Sequence, residues 1–550
     1  MTAPATERVQ AAQRLAAEAM RIAGAAIERG KDLLDGGRAI DDRQPHAERL
    51  ALVATEARAA HELAGYAARV PSSAPDAAIE ADLAHAFAAE ILHTIAGRVR
   101  AHPDEFGGVS LLAPLDEPEV ARALLAGLDD AFVEDIGRRV IEARGVNQCY
   151  LEDPAAAMVR ESARAFAKAE IAPIAQEMHR QDLDVPESLI RNMAEVGFFG
   201  ISIPEEYGGT GMSATAMTIL SEELCAASLV GGSLITRSEI LTRALLQGGT
   251  EEQKRRWLPR IASGELMVGV AVTEPDVGSD VASLQCRATP GELDGRKGWF
   301  IDGPKAWSTF AGRANILALL ARTDPNPASG ARGLSLFIVE KDPHPGHHFV
   351  QTQPGGGQIV GTANPTPGYR GMHSFTLAFD RYFVPAENLV GGEAGLNRGF
   401  FLQMSGFAVG RLQTGGRATG VGQAALEKAC AYVTARTQFG RPIGEYGLTR
   451  YKIGRMAAHV MAGRQLTYAA ARLVDEGDVR VEPAMAKLFA SDVAVWVTQD
   501  AQLLHGGWGY SEEDPIARYV ADAQVLPIFE GVKPILELKV IARSLLSGSA

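Results

Sequence analysis

The sequence predicts a multidomain α+β protein in which a helical extension, a helical domain, a β domain and a helix bundle follow one another. Three observations support this order. The chain of 550 residues is 46% hydrophobic, so at roughly 100 to 200 residues per domain it can bury three or four cores. Helical periodicity dominates both ends of the chain, and short apolar runs between turns occupy the middle.

Residues 1–150 form the predicted helical extension. Val9, Ala12, Ala16 and Ala19 recur at spacings of three and four, which places them on one apolar face of a helix. Turns rich in proline and glycine then divide the region into several helices. No segment of the extension resembles a catalytic motif, so its sequence predicts structure and leaves its role open.

Three further domains follow the extension. The pattern is helical over 151–267, with one irregular loop where IPEEYGG combines a proline with two glycines. Over 268–391 short apolar runs such as 334–339 and 375–379 lie between turns, which predicts a β domain. Proline becomes sparse over 392–550, where long helical patterns predict a helix bundle.

The composition argues against several kinds of partner. A formal net charge of −13 does not supply the basic field that nucleic-acid binding needs. The four cysteines show neither the density nor the spacing of a disulfide-stapled secreted domain. Charged residues precede any apolar run at the N-terminus, and no later stretch reaches about 18 uncharged apolar residues. We therefore expect a cytoplasmic protein that neither binds nucleic acid nor inserts into membranes.

The opening of the β domain carries a polar segment, AVTEPDVGSD, that could bind a ligand. An apolar strand runs here into a loop that contains Thr273, Gly278 and Ser279. Hydroxyls and flexible backbone amides of this kind can hold an anion or the polar edge of a ring. A polar β-turn with a satisfied Asp side chain is the alternative interpretation.

A second segment of the β domain, GPKAWST, places a large aromatic side chain and two hydroxyls at the end of a strand. Trp307 could stack on a planar cofactor, and Ser308 and Thr309 could form hydrogen bonds with it. A tryptophan taken alone is more often part of a core. The segment gains its significance from the motifs that accompany it.

A local cationic patch begins at the segment RTQFGRPIG. Arg436, Arg441, Arg450 and Lys452 lie here against a single acidic residue, Glu445. Guanidinium groups bind pyrophosphate oxygens in a bidentate manner, so the patch suits a nucleotide cofactor. An exposed helix face rich in arginine would give the same pattern.

Two glycine-containing segments lie near the C-terminus. In HGGWGY, Gly506 and Gly507 permit the backbone to approach a ligand closely. In IFEG, Glu530 supplies a carboxylate next to Gly531. Taken alone, Glu530 would be interpreted as a carboxylate at a helix start, where the macrodipole contributes about 0.3 to 1 kcal/mol.

The segments TEPDVGSD, KAWST, RTQFGRPIG, HGGWGY and IFEG occur in this order in acyl-CoA dehydrogenases, and the chain resembles that family over about residues 153–543. The resemblance implies a helical domain, a β-barrel-like middle domain and a C-terminal four-helix bundle, to which the N-terminal helical domain is an addition. It also implies an FAD cofactor, an acyl-CoA substrate and electron-transferring flavoprotein as the electron acceptor.

The resemblance assigns roles to individual residues. Glu530 would be the catalytic base that removes the α-proton, while its backbone N–H polarises the thioester carbonyl. Some members place the base on an earlier helix, but that position holds Gly410 here. Ser279, Arg411 and Gly531 would contact the substrate. The FAD contacts would come from Thr273, Gly278, Ser279, Trp307, Ser308, Thr309, Arg436, Gln438, Phe439, Gly506, Gly507 and Val532.

The resemblance also implies a homo-oligomer, because Arg436 and Phe439 would contact the FAD of a neighbouring subunit. We expect a dimer, since the extension could cover a surface that other members use to form tetramers. Val277, Leu503 and Val532 depart from the family pattern. These departures fall at or beside positions that bind FAD in the family.

The long extension and an enlarged loop at about 351–374 narrow the resemblance to members that dehydrogenate a short branched acyl-CoA ending in a carboxylate. Such a substrate needs a cation or several donors at the far end of its pocket. Arg237 in a predicted helix, and Tyr369 or Arg370 in the enlarged loop, are the candidates. A surface salt bridge would account for each arginine equally well.

Other interpretations remain open from sequence. The substrate could be another short-chain acyl-CoA, and the same fold could serve a flavin oxidase, a flavin monooxygenase or a scaffold without chemistry. The presence of Glu530 argues against the oxidase, the monooxygenase and the scaffold. His344, His347 and His348 lie in a loop of proline and glycine, without a carboxylate or cysteine at ligand spacing, so we expect no metal site.

Overall fold

The computed structural model describes residues 4–146, 149–478 and 480–548. Its chain forms two compact units. One unit, here called the helical unit, combines Met1–Val159 with Thr414–Ala550. The other, here called the sheet unit, is Arg160–Gln413. The predicted domain boundary near residue 150 adjoins residues 147 and 148, which lie outside the described residues.

The extension is helical, and the face predicted for its first helix is buried. Ala12, Ala16 and Ala19 are at most 1% exposed. A proline or glycine lies at the end of a helix or in the connection at each boundary between successive helices, because neither residue stabilises a helix interior. The helices are α1 Ala5–Leu33, α2 Gln44–Arg69, α3 Ala77–Ala101, α4 Pro103–Phe106, α5 Pro118–Gly127 and α6 Asp130–Glu142.

The sheet unit begins within the helix α7, Pro154–Phe166, and continues with further helices, as the sequence predicts. A π-helical turn at Ala167–Ile171 separates the first two of them. The last helix begins with a capping box, in which Thr250 and Gln253 satisfy each other's backbone N–H groups. The helices are α7 Pro154–Phe166, α8 Ala172–Arg180, α9 Glu187–Glu195, α10 Ala214–Ala227, α11 Leu229–Gly248 and α12 Glu251–Ala262.

Residues 268–385, all of them described, form an eight-stranded sheet. The strands are β1 Val268–Ala271, β2 Arg287–Leu293, β3 Arg296–Thr309, β4 Ile316–Arg322, β5 Leu334–Glu340, β6 His348–Thr352, β7 Gln358–Ala363 and β8 Ser374–Pro385. Their order is β1-β4-β2-β3-β8-β7-β6, and β5 also pairs with β4. β4 is parallel to β1 and β2, and the other pairs are antiparallel.

The centre of the sheet is buried on both faces. Along β4, Ile316, Ala318 and Leu320 point into one apolar core, which also contains Trp257 of α12. The alternate residues of β4 enter a second core on the opposite face. A strand that is buried on both sides requires a continuous apolar sequence, which explains the run ILALLA.

The remaining helices form the C-terminal part of the chain. α14 is the longest of them, and the division between the two units falls within it, before Thr414. The helices are α13 Gly392–Gly395, α14 Gly399–Ala435, α15 Gly447–Asp475, α16 Glu482–His505, α17 Pro515–Ala523, α18 Lys533–Ile535 and α19 Arg543–Ser547. A short hairpin of β9 Thr437–Gln438 and β10 Arg441–Pro442 connects α14 to α15. None of the described helices combines the length and the apolar character that a membrane span requires.

Within its unit the extension packs directly on α15 through small residues. A Cβ atom added to Gly137 of α6 would lie 1.8 Å from the carbonyl oxygen of Arg450. A Cβ atom added to Gly454 of α15 would lie 2.4 Å from the carbonyl oxygen of Val133. Two helices that approach this closely leave no space for side chains, so glycine is required at both positions.

Polar and aromatic contacts continue this interface. The Glu90 carboxylate of α3 accepts a hydrogen bond from Arg455 Nε at 3.0 Å and lies 3.5 Å from His459 Nε2. Phe87 packs edge-on against His459 and Phe489, with ring centroids 5.0 and 5.8 Å apart. The extension therefore covers α15 and part of α16 with a packed interface.

A buried carboxyl near the C-terminus makes the stability of the protein depend on pH. Burial raises the pKa of Glu537 from 4.5 to about 7, although Lys533 opposes the shift. The folded protein therefore keeps a proton on Glu537 over a range in which the unfolded chain has lost it. Because the folded state binds more protons there, stability falls as pH rises from about 4.5 to about 7.

We predict that Glu537→Gln removes this loss of stability at higher pH, because glutamine mimics the protonated acid and does not ionise. The variant should match the wild type in melting temperature at about pH 5 and exceed it at about pH 8. Thermal melts across this range measure the difference, with Glu476→Gln, which alters an exposed carboxyl, as the control. Parallel pH profiles for the wild type and Glu537→Gln would contradict the prediction.

Candidate active site

A strained turn after α17 directs Glu530 into the protein. Glu530 has a φ of 55° and Gly531 a φ of 105°, both in the left-handed region that side chains disfavour. The Glu530 side chain is only 3% exposed. A non-glycine residue in this conformation costs roughly 1 to 3 kcal/mol and persists only where the surroundings impose it.

Two residues of α14 bind the Glu530 carboxylate. Thr414 Oγ1 donates to Oε2 at 2.8 Å, and Arg417 Nη2 donates to Oε1 at 2.7 Å. Arg417 Nη2 also donates to Thr414 Oγ1 at 2.6 Å, so both donors act on the carboxylate together. Residues three apart share a face of a helix, which explains how Thr414 and Arg417 reach the same group.

The guanidinium of Arg417 is fully buried and covers an aromatic ring. Its Cζ atom lies 4.6 Å from the ring centroid of Phe529, the residue before Glu530. The side chains of the Arg417–Glu530 pair are 0% and 3% exposed. Removing one partner of such a buried pair typically costs about 3 to 5 kcal/mol, because the other charge is left uncompensated. The pair therefore fixes the position of the carboxylate.

A buried lysine of α16 supports the same turn. Lys487 Nζ donates to the carbonyl oxygen of Gly531 at 2.6 Å, and the lysine is 0% exposed. The backbone N–H of Lys533 closes the turn on the carbonyl of Pro527 at 2.9 Å. Contacts from α14 and α16 thus hold the backbone and the side chain of Glu530 at once.

A second buried ion pair joins two of the sequence segments within the sheet unit. Lys305 Nζ donates to Glu274 Oε1 at 2.9 Å and to the carbonyl of Val272 at 2.9 Å. The same carboxylate accepts from the backbone N–H groups of Gln285 and Cys286 at 2.7 and 2.8 Å. Glu274 is therefore the buried, satisfied acid of this turn, and Asp280 of the same segment also accepts a hydrogen bond, from Ser283 Oγ at 2.5 Å, as the alternative interpretation of the sequence suggested. This network holds Thr273 at the strand end and leaves Gly278 and Ser279 exposed.

A β-bulge brings Trp307 to the surface. The register of β3 against β8 shifts between Lys305 and Ser308, and Trp307 has a φ of 55°. Bulges of this kind redirect a side chain and often lie beside active sites. As a result Trp307 is 58% exposed, while Lys305 and Ser308 are fully buried. Thr309 Oγ1 lies 2.9 Å from Ser374 Oγ.

The hairpin of β9 and β10 presents the predicted cofactor contacts to solvent. Phe439 is 96% exposed at its tip with a φ of 52°, and Gln438 is also exposed. Arg441 lies over the ring of Tyr446, with Cζ 4.1 Å from the centroid. An aromatic side chain held in solvent by a defined hairpin is typical of a surface that binds another molecule.

An open cleft of about 430 Å³ lies beside the hairpin. Arg436 and Trp508 line it, together with Tyr432, whose ring stacks on His505 at 4.2 Å. Gly506 and Gly507 are exposed, and a Cβ atom added to either would meet no atom within 4 Å. The cleft also contains Glu513 and Asp514, so its charge is mixed. Val532 is half-buried in the turn after Glu530.

The residues suggested for the substrate differ in their surroundings. Arg237 lies on α11 and is 6% exposed, and Arg411 is half-buried on α14. Tyr369 is 6% exposed with a φ of 60°. Arg370 donates from Nη1 to the carbonyl of His179 at 2.8 Å and lies 3.6 Å from the Asp182 carboxylate. These contacts tie Arg370 to the end of α8 and to the loop between α8 and α9.

Three family models cover most of the chain. The N-terminal domain model of acyl-CoA dehydrogenase matches residues 153–265, the middle domain model 269–382 and the C-terminal domain model 397–546. The chain belongs to the acyl-CoA dehydrogenase family. It is therefore an oxidoreductase that depends on FAD, as the family does.

Two curated acyl-CoA dehydrogenase relatives differ in how much of the chain they match. The (2S)-methylsuccinyl-CoA dehydrogenase of Cereibacter sphaeroides is 38% identical over 528 residues, which span 92% of each chain. An acyl-CoA dehydrogenase of Bacillus subtilis strain 168 is 37% identical over 394 residues, which span 71% of this chain and 98% of its own. The first match must include much of the extension, and the second leaves out a part of comparable length.

Solved structures of similar chains have the same fold. Butyryl-CoA dehydrogenase from Megasphaera elsdenii is 29% identical, with a TM-score of 0.65 over 73% of this chain and 98% of its own. A chain from the structural study of the electron transferring flavoprotein of Acidaminococcus fermentans is 31% identical, with a TM-score of 0.64 over 72% of this chain and 98% of its own. The predicted fold class is confirmed.

Each of the two units of this acyl-CoA dehydrogenase contains side chains that suit an FAD cofactor. The sheet unit offers the exposed indole of Trp307, and within the described part of the chain the buried Ser308 hydroxyl has no hydrogen-bond partner. The helical unit offers the guanidinium of Arg436 in an open cleft and the exposed ring of Phe439. An aromatic ring suits stacking and a guanidinium suits pyrophosphate. The individual contacts predicted from sequence remain predictions.

Several residues that shape the site were not identified from sequence. Thr414, Arg417 and Lys487 contact the Glu530 turn, and Glu274 and Lys305 form the ion pair of the sheet unit. Lys305 and Lys487 could have been noticed in the sequence, because the residues next to each of them in its strand or helix are mostly apolar. No signal in the sequence pairs Arg417 with a residue more than a hundred positions away.

Proposed function

We propose that the protein oxidises (2S)-methylsuccinyl-CoA to mesaconyl-CoA. The observation that carries this proposal is the match to (2S)-methylsuccinyl-CoA dehydrogenase over 92% of both chains, which extends beyond the three family domains. The Bacillus acyl-CoA dehydrogenase has nearly the same identity but covers 71% of this chain. The shared extension therefore favours the narrower substrate.

The proposed chemistry requires a base, a group that polarises the thioester carbonyl and a hydride acceptor. Glu530 is the base, and it takes the α-proton of the acyl chain. Its backbone N–H polarises the thioester carbonyl. When bound, FAD supplies the acceptor for the β-hydride. Thr414 and Arg417 are positioning residues, since they bind both carboxylate oxygens of Glu530.

The thioester of a dicarboxylic acid also needs a partner for its one free carboxylate. Arg237 suits this role, because a guanidinium that is 6% exposed interacts with a carboxylate more strongly than one in water. Tyr369, also 6% exposed, could add a hydroxyl donor. Arg370 remains a candidate, although its contacts with His179 and Asp182 give it a structural role in the enlarged loop.

The proposed acceptor is electron-transferring flavoprotein, and the proposed assembly is a homodimer in the cytoplasm. The exposed hairpin with Arg436, Gln438 and Phe439 would complete the FAD site of the partner subunit. An aromatic residue that is 96% exposed supports this arrangement, because such side chains are enriched at the centre of interfaces. The extension already covers α15 and part of α16, which supports a dimer over a tetramer.

Anaerobic reduction of the flavoprotein by a panel of acyl-CoA thioesters tests the substrate. We expect (2S)-methylsuccinyl-CoA to bleach the flavin faster than butyryl-CoA. Arg237→Met should raise KM for the dicarboxylic thioester at least about 30-fold, because loss of one partner of a buried charge pair costs about 2 kcal/mol or more. Turnover of butyryl-CoA should change little, which also shows that the variant folds.

Arg243→Ala is the matched control, since Arg243 lies on the same helix and pairs with Glu239. It should leave the ratio of KM values for the two thioesters unchanged. Equal losses on both thioesters in Arg237→Met would refute the anchor. Preference for butyryl-CoA in the wild type would refute the proposed substrate, and rapid peroxide formation during turnover in air would indicate an oxidase.

Light scattering of the purified holoenzyme tests the assembly. The proposal predicts a molecular mass equal to that of two chains. The extension would cover, on α15, a surface that other family members use to form tetramers. A further readout is the Phe439→Ser variant, which should lose FAD on gel filtration more readily than the wild type if the hairpin contributes to the partner's site. A tetramer in solution would contradict the proposed role of the extension.

A further inference from the structure

Three loops of the sheet unit bring two histidines and an aspartate together. Asp182 lies between α8 and α9, His347 lies between β5 and β6, and His373 directly precedes β8. One ligand atom from each residue lies within 4.8 Å of the other two. We call these three residues the histidine–aspartate cluster. The proposed dehydrogenation uses none of the three side chains directly.

The spacing of the cluster fits one small metal ion. The Nε2 atoms of His347 and His373 are 3.1 Å apart, His373 Nε2 lies 3.0 Å from Asp182 Oδ1, and His347 Nε2 lies 3.8 Å from Asp182 Oδ2. Zinc binds nitrogen and oxygen at about 2.0 to 2.2 Å, so tetrahedral ligands are separated by about 3.3 to 3.6 Å. The observed distances lie around this range.

A second carboxylate orients one histidine toward the common point. Asp184 Oδ1 lies 3.1 Å from His373 Nδ1, and Asp184 Oδ2 accepts from the backbone N–H of Gly346 at 2.6 Å. A carboxylate only accepts, so Nδ1 of His373 donates and Nε2 of the neutral ring presents its lone pair to the cluster. Metal-binding histidines are commonly held by a carboxylate in this manner.

A positive charge at the centre of the cluster would stabilise the Asp182 carboxylate. When His373 is neutral, the lone pair of its Nε2 atom faces Asp182 Oδ1 at 3.0 Å, and two acceptors at this spacing repel each other. A divalent cation would remove this repulsion and could bind one atom of each of the three residues. Arg370 Nε lies 3.6 Å from Asp182 Oδ1 and adds a charge at the edge of the group.

We propose that Asp182, His347 and His373 bind a Zn²⁺ ion. Two imidazole nitrogens and one carboxylate oxygen form a donor set that zinc favours. The His347 and Asp182 side chains are 48% and 41% exposed, so a water molecule can occupy the fourth position, while His373 is 5% exposed and closes the inner side. The ion would clamp the α8–α9 loop and the enlarged loop to the sheet.

The proposal revises the expectation from sequence that the chain has no metal site. That expectation rested on His344, His347 and His348, which occur close together in the chain. His344 instead stacks on Phe349 with centroids 4.8 Å apart, and His348 Nδ1 lies 3.1 Å from Thr362 Oγ1. Only His347 of the three joins the cluster, and its partners are distant in sequence.

Zinc binding can be measured on the holoenzyme by equilibrium dialysis against Zn²⁺ buffered with a chelator, followed by elemental analysis. We expect one zinc ion per chain in the wild type. Asp184→Asn should weaken binding by about 10- to 100-fold, because that residue orients a ligand. His347→Ala should weaken it at least as much, since it removes a ligand from an exposed position without disturbing a core.

His348→Ala is the matched control, because it removes the neighbouring histidine and leaves the cluster intact. It should bind zinc as the wild type does. Flavin content and melting temperature in excess chelator verify that each variant is folded. Absence of stoichiometric zinc in the wild type, or equal zinc binding by His347→Ala and His348→Ala, would overturn the proposal and leave the cluster as a hydrogen-bonded pair of rings.

Discussion

The ion pair between Arg417 and Glu530 is the interaction on which the rest of the active site depends. It joins the long helix α14 to a turn near the C-terminus, and both side chains are almost completely buried. The turn alone would not hold, because Glu530 adopts a left-handed backbone conformation. Arg417 and Thr414 bind its carboxylate, and Lys487 binds the carbonyl of Gly531. The strain at Glu530 is thus balanced by contacts from two helices.

These helices are themselves part of a larger packed body. α15 receives the extension at Gly137 and Gly454, where the two backbones approach too closely for any other residue. Phe87 of the extension also contacts Phe489 of α16, the helix that carries Lys487. A role for the extension in supporting the bundle follows from these contacts, even though its sequence contains no catalytic motif. A buried ion pair has a similar role in the sheet unit, because Lys305 and Glu274 fix the strand ends next to Trp307.

Much of the fold was predictable, since periodicity reports which faces are buried. The helical extension, the strands 334–339 and 375–379 and the buried face of α1 follow from spacing alone. The bulge at Trp307 was not predictable, because it results from pairing between β3 and β8 and leaves no local mark. Arg417, Asp182 and His373 were missed for the same reason. Their partners are distant in sequence, and only the folded chain brings them together.

The most direct test of the account is single-turnover reduction of the flavin by (2S)-methylsuccinyl-CoA in the Glu530→Gln variant. Glutamine keeps the shape of the side chain and one acceptor oxygen for Arg417, but it does not neutralise the buried guanidinium, so flavin content and melting temperature must verify that the variant is folded and binds FAD. If Glu530 is the base, the rate of bleaching should fall at least about 100-fold, the lower range for general base catalysis. Glu537→Gln, which alters another buried carboxyl of the same unit, should retain the wild-type rate. Bleaching of Glu530→Gln at the wild-type rate would contradict the account.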